Sequence, residues 1–455
     1  MKKGKTTIRS VALPQKKIVN KVTFKISEDQ IIKYCKSSKF IKRQRKITVG
    51  NLVLGLIKCY KQSAFSYRLW ALQISILLAD TVSKQAISKR LNSEAKGCFS
   101  SVLQSILSER LFGDDGAIIE SNFNRILVRD STCIKLSKAL SDFFPGAHSK
   151  NGASATLRIQ HQMDLKKEES TYFKLSHFRD NDQANSMELL DDLQANDLVL
   201  EDLGYFKLDK FAQIALAKAF FISRFKYKVS TFDLEGHRFD LMEYLKDLRD
   251  EIDQVDIDIL IGQKIKFPVR LVALSLPKEK ADERKRKAKK NRDQRSNHSK
   301  NYFCFLEWTI LITNIPKPTF EAKVLWKIYG LRWRIEILFK CWKQRFNLSS
   351  ILGQKKIRNP ICIYVLVYGF LIYLTACILP SFNAWAKLMY KERQKFLSLY
   401  KFIDLIITPG ICQTLFDLTE VDYTLAFLEK FACYDQRKNR QNHFLQMQAI
   451  FKGSP

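Results

Sequence analysis

Apolar residues recur at three- and four-residue steps from Thr48 to about Gly113. Leu52, Leu54, Leu56 and Ile57, then Leu69, Leu72, Ile74 and Leu77, then Leu103, Ile106 and Leu107 predict a run of helices. Within it, Thr81 to Leu91 offers Ser83 as an N-cap and presents Lys84, Gln85, Lys89 and Arg90, residue types that meet phosphates and base edges. A helix-turn-helix reader and an ordinary basic surface helix both fit. From about Asn122 the pattern turns to strands: a β-rich run from Arg125 ends on Asp130, and Ala155 to Met163 and Glu169 to Leu175 follow, joined by a polar turn. Ala184 to Ala195 reads as a helix, Asp197 to Asp202 as a short strand, and Gly204 to Phe220 as a turn and helix. After Arg224 the clearest strands are Pro268 to Leu276 and Phe303 to Ile312, and from Lys323 the chain is helical with breaks at Pro380 and Pro409-Gly410. Strands followed by alternating helix and strand predict an α/β fold, a mixed sheet with helices on its faces.

Composition adds a partner. With 46% hydrophobic and 12% aromatic residues in 455, apolar burial outweighs chain entropy and disorder of the whole is excluded. The net charge of +31 calls for a polyanion. About half of it lies in Met1 to Lys61, where 17 Lys/Arg face only Glu28 and Asp29, and the interleaved Ile18, Val19, Phe24, Ile31, Tyr34, Phe40 and Ile41 are more apolar than a solvated tail. Lys278 to Lys300 holds 11 basic and 4 acidic residues and reads as a phosphate-facing arm or mobile loop, too charged to pack. The 10 cysteines occur singly, without zinc spacing, and read as reduced core residues of a cytosolic protein without a secretory signal. Ile361 to Leu379 is uncharged and long enough to cross a membrane, yet in so basic a chain it predicts a buried core helix.

The most specific local pattern is Tyr329-x2-Arg332-x3-Glu336-x6-Lys343. At about 100° per residue, Arg332, Glu336 and Lys343 fall within an arc of about 60°, opposite Leu331, Ile335, Leu338 and Trp342. One acid among cations, with a tyrosine on the same stripe, suits a metal beside phosphates, whereas an amphipathic surface helix is the plainer alternative. Lys340 lies near the same stripe.

This spacing resembles the signature of the DDE transposases of bacterial insertion sequences, in the group whose name is spelled IS-four. Val128-Arg129-Asp130-Ser131-Thr132 is similar to the family's first-aspartate strand. Leu200-Glu201-Asp202-Leu203-Gly204-Tyr205-Phe206 is similar to its second, with Leu203 where a basic residue often stands. The resemblance implies a ribonuclease-H-like catalytic core interrupted by a β-rich insertion, with helical N- and C-terminal regions. On this chain the implied divisions are residues 1–115 for DNA binding, 116–225 and 322–380 for the core, 226–321 for the insertion, and 381–455 for pairing of subunits.

It further implies that Asp130, Asp202 and Glu336 are catalytic and hold Mg²⁺, with Mn²⁺ substituting. Mg²⁺ prefers oxygen ligands, and two such ions about 3.5–4 Å apart can activate a water or 3′-hydroxyl and stabilise the departing oxygen. Asp164, Asp182 and Asp192 lie nearby as decoys. Tyr329, Arg332 and Lys343 are expected at the phosphates of the transposon end, and Arg224 at the backbone. Trp308 is expected either to stack on a flipped base or, sharing a strand face with Cys304, Leu306, Ile310 and Ile312, to be core. The implied function is cut-and-paste DNA transposition by a homodimer on double-stranded terminal repeats and target DNA, in a bacterial cytoplasm at the nucleoid. A catalytically inactive DNA-binding descendant or regulator is the rival, and the presence of all three acids argues against it.

Overall fold

The computed structural model describes residues 27–35, 46–111, 121–147, 153–180, 186–249, 251–290, 299–408, 421–435, 447–448 and 450–451. Most of the basic N-terminal segment, Asp182 and the Pro409-Gly410 break lie outside the described residues.

The predicted helical run is present as α1 (Glu28–Cys35), α2 (Val49–Lys61), α3 (Tyr67–Leu78), α4 (Lys84–Ser88) and α5 (Ser93–Leu111). A capping box starts α2: the Thr48 hydroxyl accepts from the Asn51 amide while the Asn51 side chain accepts from the Thr48 amide. Ser83 caps α4 by accepting from the Ala86 amide, but α4 has only five residues. The cysteine expectation is corrected here, because Cys35 of α1 and Cys98 of α5 form a disulfide across a sequence separation of 63. Packing of two distant helices made that pair, which spacing along the chain cannot reveal.

Strands β1 (Ile126–Leu136), β2 (Ala155–Asp164) and β3 (Glu169–His177) form an antiparallel meander. A 3₁₀ turn at Ser186–Asp192 stands where a helix was expected, and β4 (Leu198–Glu201) and β5 (Phe220–Arg224) then lie parallel to β1 and to each other. Between them runs α6 (Leu208–Leu216). The chain continues through β6 (Thr231–Phe232), α7 (Leu241–Asp247), β7 (Gln254–Ile261), β8 (Phe267–Ser275), α8 (Lys278–Lys290), α9 (Lys300–Glu307) and β9 (Trp308–Thr313). Among the described residues the nine strands share one sheet in the order β3-β2-β1-β4-β5-β9-β8-β7-β6. Strands β6–β9 therefore extend the central sheet through the antiparallel β5–β9 pair.

Two other expectations change in this stretch. The charged segment from Lys278 is helical over α8, since Lys, Arg, Glu and Ala are strong helix formers and Lys287 pairs with Glu283 one turn away at 2.6 Å. It also packs: Ala281 is buried, Lys285 pairs with Glu307, and Arg284 Nη1 donates to the Trp308 carbonyl at 3.1 Å. The strand predicted from Phe303 begins only at Trp308, because Ser299 caps α9 and draws Cys304 and Leu306 into that helix.

The C-terminal third is helical: α10 (Ala322–Gly330), α11 (Trp333–Gln344), α12 (Leu348–Leu352), α13 (Pro360–Tyr373), α14 (Leu379–Arg393), α15 (Leu399–Ile407) and α16 (Val421–Ala432). The helix from Pro360 to Arg393 is continuous, and 78% of its most apolar window is buried, as expected for a core helix. Tyr60 of α2 donates to the Leu366 carbonyl at 2.7 Å, and Gly369 lets Leu56 so close that a Cβ there would meet it at 2.3 Å. The N-terminal helices thus clasp this rod and share the larger apolar core with β1–β3 and the C-terminal helices. Pro380 does not break it: a π-turn at Leu374–Ile378 widens the helix just before the ring and accommodates the missing N–H. A smaller core lies among β5, β7–β9, α6 and α7.

Candidate active site

The side-by-side pairing of β1 and β4 ends at Arg129 opposite Glu201, so Asp130 and Asp202 are the next residues on two neighbouring parallel strands. Asp130 is mid-strand, since β1 continues six residues further against β2, correcting the expectation that its strand ends there. Strands β2 and β4 flank β1 on opposite sides.

The third acid comes from the helices. His161, the cross-strand partner of Asp130, packs its ring 5.3 Å from Trp342 of α11, so Asp130's face of the sheet is the one α11 covers. Tyr329 and Glu336 lie on two helices rather than one, because three-residue bonds from Leu331 to Ile328 and from Arg332 to Tyr329 tighten the chain between α10 and α11. Glu336 falls in the first turn of α11, where a carboxylate is favoured by the helix dipole.

Arg332 joins the set. Its Nη1 lies 3.2 Å from Asp130 Oδ2 and its Nη2 2.7 Å from Glu336 Oε1, with the residue 8% exposed. Burial pulls the guanidinium's pKa down, but Tyr329, Asp202, Asp130 and Glu336 together hold it above its ordinary value. The Asp130 carboxyl is pushed up to about 6, chiefly by burial, with the charges of Asp202 and Glu336 adding to the rise. The Ser131 amide, which donates to it at 2.7 Å, and Arg332 oppose it. Three acids thus crowd around one cation, the condition that a bound divalent ion relieves.

The remaining predicted residues take differing places. The Tyr329 hydroxyl donates to the Glu201 carbonyl at 3.3 Å, and burial pushes that phenol up to about 12. Arg224, ending β5, acts electrostatically on both Tyr329 and Arg284 of α8, which puts basic groups in series from the acids towards α8. Lys343 is half-buried in the last turn of α11. Trp308 is 1% exposed in the smaller core, with the Arg249 guanidinium 5.7 Å from its ring. Of the decoys, Asp164 ends β2 with its Oδ1 accepting from the Ile126 and Lys166 amides at 3.1 and 3.0 Å, and the Asp192 carbonyl accepts from Arg125. A separate group, Asp233, Glu235 and His237, occupies an exposed turn after β6, where His237 is already bonded to Asp233.

Sequence reasoning passed over a buried charged group beneath the acids: Arg129, Glu201 and Lys210 are each at most 2% exposed. Its signal was the charged residue directly preceding each aspartate.

A family model described as the transposase DDE domain matches residues 121–368. The transposase for insertion sequence element IS231F of Bacillus thuringiensis subsp. israelensis is 26% identical over 408 residues, covering 84% of this chain and 83% of that protein. The transposase for IS231B of Bacillus thuringiensis subsp. berliner is 26% identical over 447 residues, covering 90% and 89%. The transposase for IS1151 of Clostridium perfringens is 24% identical over 415 residues, covering 85% and 84%. Among solved structures, a piggyBac transposase synaptic complex with hairpin DNA aligns at a TM-score of 0.43 and 10% identity, over 93% of this chain and 86% of that one.

Proposed function

The chain belongs to the transposase DDE domain family, and from that premise we propose that it cuts the ends of a mobile DNA element and joins them to target DNA, with Asp130, Asp202 and Glu336 holding the catalytic metal. The observation that carries the assignment is the Arg332 bridge. Residues 202 positions apart, Asp130 and Arg332, meet at 3.2 Å, and the same guanidinium holds Glu336. The group fits a hard divalent ion: its donors are carboxylate oxygens, and its resident countercharge is a cation. Asp130, Asp202 and Glu336 would hold Mg²⁺, or Mn²⁺ in its place, which would supply Lewis-acid activation of the attacking and departing oxygens.

The protein's own part is placement. Adjacent parallel strands set the separation of Asp130 and Asp202, α11 brings Glu336 over them, and Arg332 keeps the carboxylates from repelling one another apart. The meander followed by parallel strands supports a ribonuclease-H-like core over 116–225 and 322–380, with 226–321 as its β-rich insertion; of the region 381–455 proposed to pair two subunits, the part up to Arg393 continues a helix of the core, which leaves pairing to the residues after it. Arg224, Arg284 and the exposed Arg286, Lys287, Lys289 and Lys290 of α8 give the DNA phosphates a path leading away from the acids. Lys343 and the N-terminal basic segment extend that path. Tyr329, its hydroxyl already given to Glu201, braces the second aspartate's strand in the DNA-free protein.

The test is cleavage of DNA carrying the element's own flanking repeats, in Mg²⁺. Asp130→Asn, Asp202→Asn and Glu336→Gln should each lower cutting by orders of magnitude while end binding survives. Near wild-type cutting by any one of them removes that residue from the assignment.

A further inference from the structure

We infer that Lys210 is a positioning residue that fixes the place of Asp202, acting through Glu201 from the opposite face of the sheet. The inference rests on the reading of Asp202 as a metal-holding acid. Lys210, on α6, has no exposed side-chain surface, and its ammonium has two partners. It pairs with the carboxylate of Glu201, itself 2% exposed, and donates to the Tyr205 carbonyl at 2.9 Å. These anchor points bracket Asp202: Glu201 precedes it, and the turn that follows is closed by the Tyr205 amide donating to the Asp202 carbonyl at 3.0 Å. A third tie is the Tyr329 hydroxyl on the Glu201 carbonyl. One side chain therefore spans both sides of the residue whose carboxylate must be placed.

The register carries the effect to Asp130. Arg129 lies opposite Glu201, wholly buried, with its guanidinium carbon 4.7 Å from the Tyr172 ring and 6.0 Å from that of Tyr205. Its charge acts on the Tyr172 phenol and on the Glu188 carboxylate beside it. Side chains alternate along extended chain, so Arg129 and Glu201 point away from the face that Asp130 and Asp202 occupy. A buried ion pair is a poor source of stability, because desolvation of both ions offsets their attraction. What it supplies is direction: an ammonium locked between two acceptors leaves the intervening residue little room to shift. Outer groups that orient ligands in this way typically change metal affinity by about 10–100-fold when removed.

The experiment uses the full chain bound to DNA with its terminal repeat, and measures Mn²⁺ binding by the fall in the free-ion electron paramagnetic resonance signal. Urea unfolding and end-binding affinity are measured alongside. Glu201→Leu/Lys210→Met removes both charges together and leaves neither one stranded. The expected result is unfolding within the wild-type range, end binding within about twofold, Mn²⁺ half-saturation raised about tenfold, and cleavage recovering at high Mn²⁺. Wild-type Mn²⁺ affinity in this variant, or end binding that falls in step with metal binding, would show Lys210 to be packing and overturn the inference. If that double variant fails to fold, Glu201→Gln/Lys210→Gln, a neutral pair that also strands no charge, carries the same expectations. The control is Asp202→Asn. If it retains Mn²⁺ binding, the assignment of Asp202 itself falls; if it loses binding while the Lys210 variants keep theirs, only the positioning role falls.

Discussion

Asp130→Asn should make the metal-free protein more stable at neutral pH while abolishing cleavage. The Asp130 carboxyl stands at about 6 instead of its ordinary 3.8 because it is buried and faces Asp202 and Glu336. Its side chain is 19% exposed, so solvent screening is modest. A raised carboxyl means that the folded chain holds a proton where the unfolded chain has released it. The contribution is therefore fully present below about pH 4 and is lost as pH rises through about 6. A rise of this size corresponds to at most about 3 kcal/mol, and the weaker hydrogen bond that a neutral amide offers Arg332 reduces the expected gain to about 1–2 kcal/mol. The Ser131 amide bonds Oδ1 and Arg332 bonds Oδ2, so the single oxygen of Asn keeps one of the two contacts, and the lost one is part of the reduction to about 1–2 kcal/mol. The assay is urea unfolding in chelator from pH 4.5 to 8, then at pH 8 with added Mg²⁺. The buried Asp164 also stands at about 6 and contributes to both proteins alike. Wild type should lose stability relative to the variant across the window and regain it with Mg²⁺. Equal or lower stability of Asp130→Asn at pH 8 without metal would refute the view that the acids are held together against their own repulsion.

Other perturbations test the supports of the site. Arg334, 3% exposed, lies two residues before Glu336 and donates to both oxygens of the buried Glu168 at 3.0 Å. Arg334→Met should cost about 3–5 kcal/mol in urea unfolding, and Arg334→Met/Glu168→Leu should recover most of it; a double variant no better than the single would contradict the stranded-charge account. Trp308→Ala should destabilise by about 3–5 kcal/mol and lower nicking together with later steps, as truncation of a core side chain does. A stable variant deficient only in hairpin formation or resolution would instead favour base stacking. Changing Arg286, Lys287, Lys289 and Lys290 of α8 to Gln should flatten the plot of log affinity against log salt by about 0.9 for each DNA phosphate left without its cation, for all sequences alike. An unchanged slope would take α8 off the DNA path.

Local pattern was enough to pick out the acids proposed for the site. The alternation of Ile126 to Asp130, the short apolar run into Asp202, and the spacing of Tyr329, Arg332, Glu336 and Lys343 are properties of contiguous residues, and the structure places Asp130 and Glu336 on either side of Arg332. The uncharged stretch from Ile361 was likewise legible as core, though only from the strongly basic chain around it. Where the reading failed, the deciding partner was distant in sequence. Cys35 found Cys98 only because α1 packs on α5. Helix α8 is held by Trp308 and Glu307, some twenty residues on, so its charge did not keep it from packing. Pro380 stays inside a helix because a widened turn precedes it in a rod clasped by α2 and α5. The Arg129, Glu201 and Lys210 group becomes a group only when β1, β4 and α6 are assembled, since no turn joins β1 to β4 to fix their register. Periodicity reports which face of an element is buried; tertiary packing alone decides what that face meets, and hence which buried charges have partners and which acids share a cation.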